Sequence, residues 1–504
     1  MRRSVLTLAG ILAVAAGLRF WTLGAGIPYS PGVDEPQLMD RVVQMMRTGD
    51  FNPHFYDYPG LYIYVQLAVA CARFVVGATA GEWKSLAQVS PGDFYHWGRA
   101  VTALLGTATV FLLFHIGMRW GTRYGALAAG LLAVMPLHVR ESHFVLTDVP
   151  MTFFVTLTLL LSLRAHERAS LAAFAGAGAA AGLAAGTTYP GALAVLLPLL
   201  AVWMTRGLRP SRAAGALAIS ASAVGAFLLA APYTILDLPG FLNGYASLAA
   251  SYSATRLSEP AWLIYLTHLR FGFSWPAFLM AVAGLVLGAV RAVRGPGRVR
   301  WTLAVVFPLV YFWFVSGQSL VFGRDLMPLV PFLCLLAATA VVSGVSLLRR
   351  FDIQRTARTA LIAALTVAAL LPPTLQAIAF NVNRSRTSTV EQAHHWIVAN
   401  VPHGSRVLIE SNLLLLAPQS YKAVNVPRLV KDVRSAGDYR RYVEQGFQYM
   451  VATAEGYGRS FAEPHRFGEE YAAYVALFEQ SRERARFAPS ADHPGPEIRI
   501  FALE

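Results

Sequence analysis

The first 380 residues alternate between apolar runs of roughly membrane-crossing length and short gaps rich in arginine. In lipid a backbone must satisfy its own hydrogen bonds, so such a chain spans as helices or as a closed barrel. Unbroken apolar runs, without strict alternation, select helices. Eleven are legible, near 4–23, 99–118, 124–137, 150–163, 171–186, 191–205, 213–232, 275–290, 301–316, 326–347 and 359–380. Several fall short of the ~17–25 residues of a full crossing, so their ends are expected to reach into the flanking segments. The chain is 55% hydrophobic and 14% charged, with a mean hydropathy of +0.47, where a soluble domain carries roughly 25% charged residues. This excludes a cytosolic enzyme, a disordered chain and a disulfide scaffold. Cys71 and Cys334 lie in apolar runs and imply no disulfide framework. Met1-Arg2-Arg3-Ser4 before an apolar run has the layout of a signal peptide; with ten further runs behind it, it reads as an uncleaved first helix.

Orientation follows from the arginines. The apolar stretch Leu61 to Ala80 carries Arg73, and counting it as a crossing inverts everything after it. Read instead as a helix lying in the outer leaflet, it leaves 1–3, 119–123, 164–168, 206–212, 291–300 and 349–358 on the cytoplasmic side, with 17 Arg in 40 residues. The outer segments 24–98, 138–149, 187–190, 233–274 and 317–325 then hold 8 Arg or Lys in 142 residues. The positive-inside rule selects this topology, with the N-terminus cytoplasmic and the C-terminus outside. It also accounts for the net charge of +14, so the basic balance is a topology signal and nucleic acid is excluded as a partner. Only Glu167 and Asp352 fall in cytoplasmic segments, whereas twelve acids fall in the outer loops and fourteen in the tail. Carboxylate chemistry is therefore expected on the outer face.

Residues 1–380 form the expected transmembrane domain, whose first outer loop, 24–98, carries interfacial helices. After Phe380 the composition changes, and 381–504 hold 15 basic and 14 acidic residues. Thr389 to Asn400, Asp438 to Glu444 and Glu469 to Gln480 read as helices, the first with Ser388 or Thr389 as cap and Glu391 in its first turn. Arg406 to Glu410, Gln448 to Thr453, Arg484 to Phe487 and Glu497 to Phe501 read as strands. The expected tail is a small extracytoplasmic α/β domain serving as a cap or as an acceptor-docking module.

Four outer segments carry candidate chemistry. Asp34-Glu35 follows the first helix directly and sits at the membrane boundary; loop acids and helix caps account for such a pair equally. His54 to Gly60 places Asp57 and Tyr58 among aromatics, where a partly desolvated carboxylate needs a partner. Arg140 lies in His138 to His143, and Asp148 opens the next span, where Thr147-Asp148-Val149-Pro150 also suits an N-terminal cap. Arg324 is the only base of its short loop and stands beside Asp325, with which a simple pair would exhaust it. Arg256 is a further outer base. No histidine has metal-ligand spacing, and no Walker, GxGxxG or GxSxG motif occurs. Carboxylates from separate outer loops with an outer arginine suit a reaction in which a general base activates an acceptor hydroxyl and cations hold a phosphate leaving group.

The motifs Asp34-Glu35-Pro36, Asp57-Tyr58-Pro59-Gly60, Trp97-Gly98-Arg99-Ala100 and Leu146-Thr147-Asp148-Val149-Pro150, in this order, resemble the GT-C class of membrane glycosyltransferases. More narrowly, the chain resembles the group of the lipid A aminoarabinose transferase and the protein O-mannosyltransferases, over roughly residues 1–350, and Ser319 to Phe332 is similar to the family's stretch before its tenth or so helix. The resemblance implies a polytopic α-helical membrane protein of GT-C fold, about eleven spans, with the small α/β domain outside. It implies a polyprenyl-phosphate sugar as donor and a lipid, glycan or protein as acceptor. Asp34 matches the first-loop catalytic base, Asp148 the second-loop acid, and Asp57 a metal-binding or acceptor-facing acid, while Tyr58 stands where the aminoarabinose transferase has Lys. Glu35, His54, Tyr58, Arg140, Arg256 and Arg324 complete the substrate-binding candidates. The cofactor is open between none and a divalent metal ion, with Asp34, Asp57 and Asp148 as its candidate ligands.

The expected activity is a hexosyl- or pentosyltransferase acting with inversion on the outer face of a bacterial inner membrane. The alternative is a transporter or flippase without covalent chemistry; its acids would lie near the membrane midplane, often in repeated halves, whereas these acids sit at the outer edge and no repeat is evident. Another outer-face lipid transferase is a third reading, and it lacks the expected metal-ligand or nucleophile motif.

Overall fold

The structure, a computed structural model, describes residues 2–29, 32, 34–254, 259–295, 297–348, 355–411, 413–417, 419–426, 428–430 and 438–503. The chain divides into two compact units: Met1–Leu23, Arg41–Gln88 and Trp97–Phe380 form the first, and Gly24–Asp40, Val89–His96 and Asn381–Glu504 the second.

The first unit is helical throughout, and each of the eleven apolar runs is a helix. Several extend past the apolar core as expected, to Tyr95–Gly117, Asp148–Arg168 and Arg355–Arg384. Among the described residues nine helices are long and apolar enough to cross a membrane, Leu61–Thr79 included, and Leu171–Thr187 and Tyr189–Met204 are shorter apolar helices. Thr122–Val134 stays short for a covalent reason. Pro136 disfavours a helical residue before it, Met135 turns extended at ψ 117, and a new helix, Pro136–Glu141, begins. The break frees carbonyls at the end of the first of these helices. The fully buried Arg19 answers them, donating to Ala133 O at 2.8 Å and Leu132 O at 2.9 Å, while its Nη2 also meets His138 Nδ1 at 3.0 Å. Arg73 carries its charge near the end of Leu61–Thr79, paired with Glu82 and lying 4.5 Å over Trp83. Small residues allow the closest helix contacts: a Cβ on Gly182 would overlap the Ala223 carbonyl, and one on Gly284 the Leu336 carbonyl.

The outer stretch 233–274, expected as a loop, holds among its described residues a one-turn helix, Tyr233–Leu236, and two longer ones, Leu238–Ala254 and Ala261–Phe273. Of the longer two, the first is hidden from a propensity reading by Pro239, Gly240 and Gly244. Both expose large apolar side chains, among them Leu242, Trp262 and Phe271.

The second unit contains a five-stranded sheet in the order β2-β1-β3-β5-β4. β1 (Arg406–Glu410) runs parallel to β2 (Lys422–Val426) and β3 (Tyr449–Thr453). β5 (Ile498–Ala502) is antiparallel to β3 and to β4 (Arg482–Phe487). β2 and the helix Ala454–Ala462 are additions to the expected set. Strand alternation sends Val407 and Ile409 to one core, with Val390 and Ile397, and Leu408 to the other, with Met450 and Phe478. The helix Thr389–Asn400 starts in a capping box, Ser388 Oγ accepting from Glu391 N and Glu391 Oε2 from Ser388 N, both at 3.1 Å. At the carboxyl end of β1 the buried Glu410 accepts from Leu429 N at 3.1 Å, Thr453 N at 3.0 Å and the Tyr474 hydroxyl. Burial pushes its carboxyl up, against the pull of these donors. Gly456 is required beside it, since a Cβ there would overlap the Glu410 carboxyl. Segment 24–40 joins this unit: Tyr29 stacks on His394 at 3.7 Å, and its carbonyl accepts from Leu415 N at 2.8 Å.

Candidate active site

Within the first unit a cavity of about 520 Å³ is lined by Asp57, Tyr58, Asp148, Arg324 and Asp325, with an aromatic wall that includes Tyr252. The polar groups arrive on separate elements. Asp57 and Tyr58 come from the turn that precedes Leu61–Thr79. Asp148 is the first residue of Asp148–Arg168, whose N-cap position is Thr147 rather than Asp148. Arg324 and Asp325 come from the 3₁₀ turn Gly323–Leu329.

The electrostatics are asymmetric, with three carboxylates around one guanidinium. Arg324 Nε lies 3.8 Å from Asp148 Oδ2, with both side chains largely buried, and its guanidinium sits 4.6 Å over the Phe322 ring. Arg324 thus also reaches an acid on a second element, while its charge still acts on the adjacent Asp325. Asp325 is occupied differently: its Oδ2 accepts from the Tyr265 hydroxyl at 2.7 Å and from Phe322 N at 2.9 Å. This fixes the turn that presents Arg324. Asp57 is exposed at the edge of the cavity, and partial desolvation raises its carboxyl above the usual range while the Arg41 charge opposes the shift. Burial, reinforced by the Asp325 charge, holds the Tyr252 phenol up at about 12, so at neutral pH it presents an O–H. Ser319 N donates to Tyr252 O at 3.3 Å and ties the 317–322 loop to the helix Leu238–Ala254.

The remaining candidates lie elsewhere. Asp34 and Glu35 belong to the second unit. Glu35 is buried and its Oε2 accepts from Gly32 N at 2.6 Å, while Asp34 Oδ1 accepts from Gln37 Nε2 at 3.3 Å, across the start of the helix Glu35–Thr48. His54, at φ 45, is exposed and engages Asp50 Oδ2 at 2.9 Å. The neighbouring Asp237 gathers Asn52 Nδ2 at 2.9 Å and the Tyr56 hydroxyl at 2.6 Å, which pull its carboxyl down. Arg140 is spent on Glu141 Oε1 at 2.6 Å. Arg256 lies outside the described residues. Among the described residues no three His, Cys, Asp or Glu side chains come together to hold a metal ion.

Sequence reasoning missed the aromatic wall. Tyr245, Leu248, Ala249 and Tyr252 all line the cavity, and their i, i+3, i+4, i+7 spacing is a helix-face signal that the nearby Pro and Gly residues obscured.

Residues 65–243 match the family model described as dolichyl-phosphate-mannose-protein mannosyltransferase. Among curated protein sequences none matches the chain. Solved structures are similar along nearly all of it. The Archaeoglobus fulgidus oligosaccharyltransferase, tethered with an acceptor peptide containing the NVT sequon, superposes with a TM-score of 0.58 at 12% identity, over 99% of this chain and 74% of that one. The same enzyme in complex with Zn and sulfate gives 0.56 at 13%, over 97% and 72%. ArnT from Cupriavidus metallidurans bound to undecaprenyl phosphate gives 0.56 at 15%, over 99% and 98%. The fold is therefore that of the GT-C membrane glycosyltransferases, and the resemblance drawn from the motifs is borne out.

Proposed function

We propose that the protein is a membrane glycosyltransferase that moves a hexosyl or pentosyl group from a polyprenyl-phosphate carrier to an acceptor hydroxyl or phosphate, with inversion. The observation that carries this reading is the cavity in which a single arginine, Arg324, stands among carboxylates and a tyrosine wall in a GT-C fold. A base removes the acceptor proton as its oxygen bonds to the anomeric carbon. The bond from that carbon to the carrier phosphate breaks, and the phosphate leaves with the electron pair. Asp34, which matches the first-loop acid of the resembling enzymes, is the proposed base. Arg324 receives the growing charge on the phosphate, and Asp148 orients it. Asp57 faces the acceptor, and Tyr252 and its neighbours stack against the sugar. The distribution of arginines supports a cytoplasmic N-terminus with the chemistry and the tail on the outer face, and the proposed setting is a bacterial inner membrane with the tail in the periplasm.

The test is transfer by purified protein in lipid, given radiolabelled polyprenyl-phosphate sugars and a membrane extract. Label is expected to leave one carrier, and the sugar that works names the donor. Failure of every carrier to bind would move the reading to a transporter. In the same assay transfer is expected to rise with pH through the raised pKa of Asp57, because its carboxylate forms only above that value. Asp57→Asn is expected to flatten that limb, and an unchanged profile would remove Asp57 from the acceptor side.

A further inference from the structure

At one end of the first unit four helix termini bring arginines and tryptophans together away from the cavity. The contributing helices are Tyr95–Gly117, Asp148–Arg168, Trp275–Arg294 and Arg298–Ser316. Trp120 and Trp301 meet edge to face at 5.4 Å. Arg291 lies 4.9 Å over Trp301 and Arg300 5.8 Å over Trp120. Arg300 Nη1 donates to the Arg119 carbonyl. Arg119 Nη2 faces Glu167 Oε2 at 3.3 Å. Burial lowers the Arg119 pKa; Glu167 opposes that shift and Arg164 adds to it. Arg119, Arg164, Arg291 and Arg300 thus belong to one cluster, in which Arg119 faces the Glu167 carboxylate.

An ordinary positive-inside cluster is satisfied by water. Here Arg119 Nε and Nη1, Arg300 Nε and the Trp120 indole N–H are shut away from water and have no hydrogen-bond partner among the described residues. Buried donors left unmade, and buried charge above all, are costly. Their convergence beside an excess of cations points to an anion. Basic pockets between helix ends on the cytoplasmic side take anionic head groups, and tryptophans mark the interface where those groups lie.

We propose that this cluster binds the phosphodiester of an anionic bilayer lipid, received by Arg119, Arg300 and Trp120. Glu167, more than half exposed at 55%, competes with the phosphate for Arg119 and gives way when the lipid binds. This site is independent of the transfer chemistry proposed above.

The test uses the full chain, purified and delipidated in uncharged detergent, titrated with phosphatidylglycerol or phosphatidylcholine and read by native mass spectrometry. Wild type is expected to prefer phosphatidylglycerol. At about fivefold per surface arginine, Arg119→Gln with Arg300→Gln weakens that binding by about thirtyfold, while Arg206→Gln, on another loop, leaves it unchanged. Trp120→Phe keeps the ring and loses the N–H, and is expected to weaken binding severalfold without shifting thermal unfolding. Glu167→Gln removes the internal competitor and is expected to tighten binding, an effect that a merely structural ion pair would not produce. If the double variant does not fold, these last two variants decide. Equal binding of the two lipids, no gain from Glu167→Gln, or displacement of phosphatidylglycerol by millimolar inorganic phosphate would each overturn the proposal.

Discussion

Asp34→Asn is expected to reduce sugar transfer by about 10²–10⁴-fold, the range that a general base contributes, while the protein still inserts and folds. The substitution keeps the shape of the side chain and its place beside Gln37 Nε2, so the helix Glu35–Thr48 begins as before. What it removes is the capacity to accept a proton. Carrier binding, measured with the same labelled donor, is expected to stay close to wild type, because the base acts on the acceptor and not on the phosphate. Transfer within a fewfold of wild type would take the base away from Asp34. Asp57→Asn in parallel then separates the alternatives, since a cavity-lining carboxylate acting as base would show the large loss instead.

Arg324→Ala is expected to cost about 10²–10³-fold in transfer, comparable to deleting one preorganised donor to a developing oxyanion. Its carrier affinity is expected to fall as well, which distinguishes it from Asp34→Asn. The substitution has a second consequence that must be subtracted. Asp148 loses the cation 3.8 Å away and is left as an uncompensated carboxylate in a largely buried place, a loss that destabilises proteins. Adding Asp148→Asn to Arg324→Ala is expected to recover thermal stability without recovering transfer. Recovery of both would mean that Arg324 serves the fold and not the phosphate.

How much of this was legible in the sequence depends on the range of the interaction involved. Apolar run length is local, and all eleven expected helices are present. The capping box from Ser388 to Glu391 is likewise a four-residue signal, and it forms as read. The tail strands were visible where β-branched residues cluster, and β2 was missed because Lys422 and Asn425 dilute its apolar pattern. Pairings across elements were not legible. Arg324 stands next to Asp325 in sequence, but its approach to Asp148 on another element, and the engagement of Asp325 by the Tyr265 hydroxyl and Phe322 N, appear only in the folded chain. The grouping of segment 24–40 with the tail rests on contacts such as Tyr29 on His394, which join residues more than 350 positions apart in the chain. The tyrosine wall needed the helix Leu238–Ala254 to be recognised before its residues could share a face.

Glu410 gives the tail domain a different kind of character. In sheets of this order, the crevice beyond the carboxyl ends where the strand order reverses is the usual seat of a small ligand. There the second unit meets two backbone N–H groups and a phenol with a carboxylate of its own. The anion such a crevice would recruit from solution is here replaced by a carboxylate of the chain itself. Glu410 thereby acts as an internal strut, joining the end of β1 to the end of β3, to Leu429 and to the helix Gly468–Gln480 through one carboxylate.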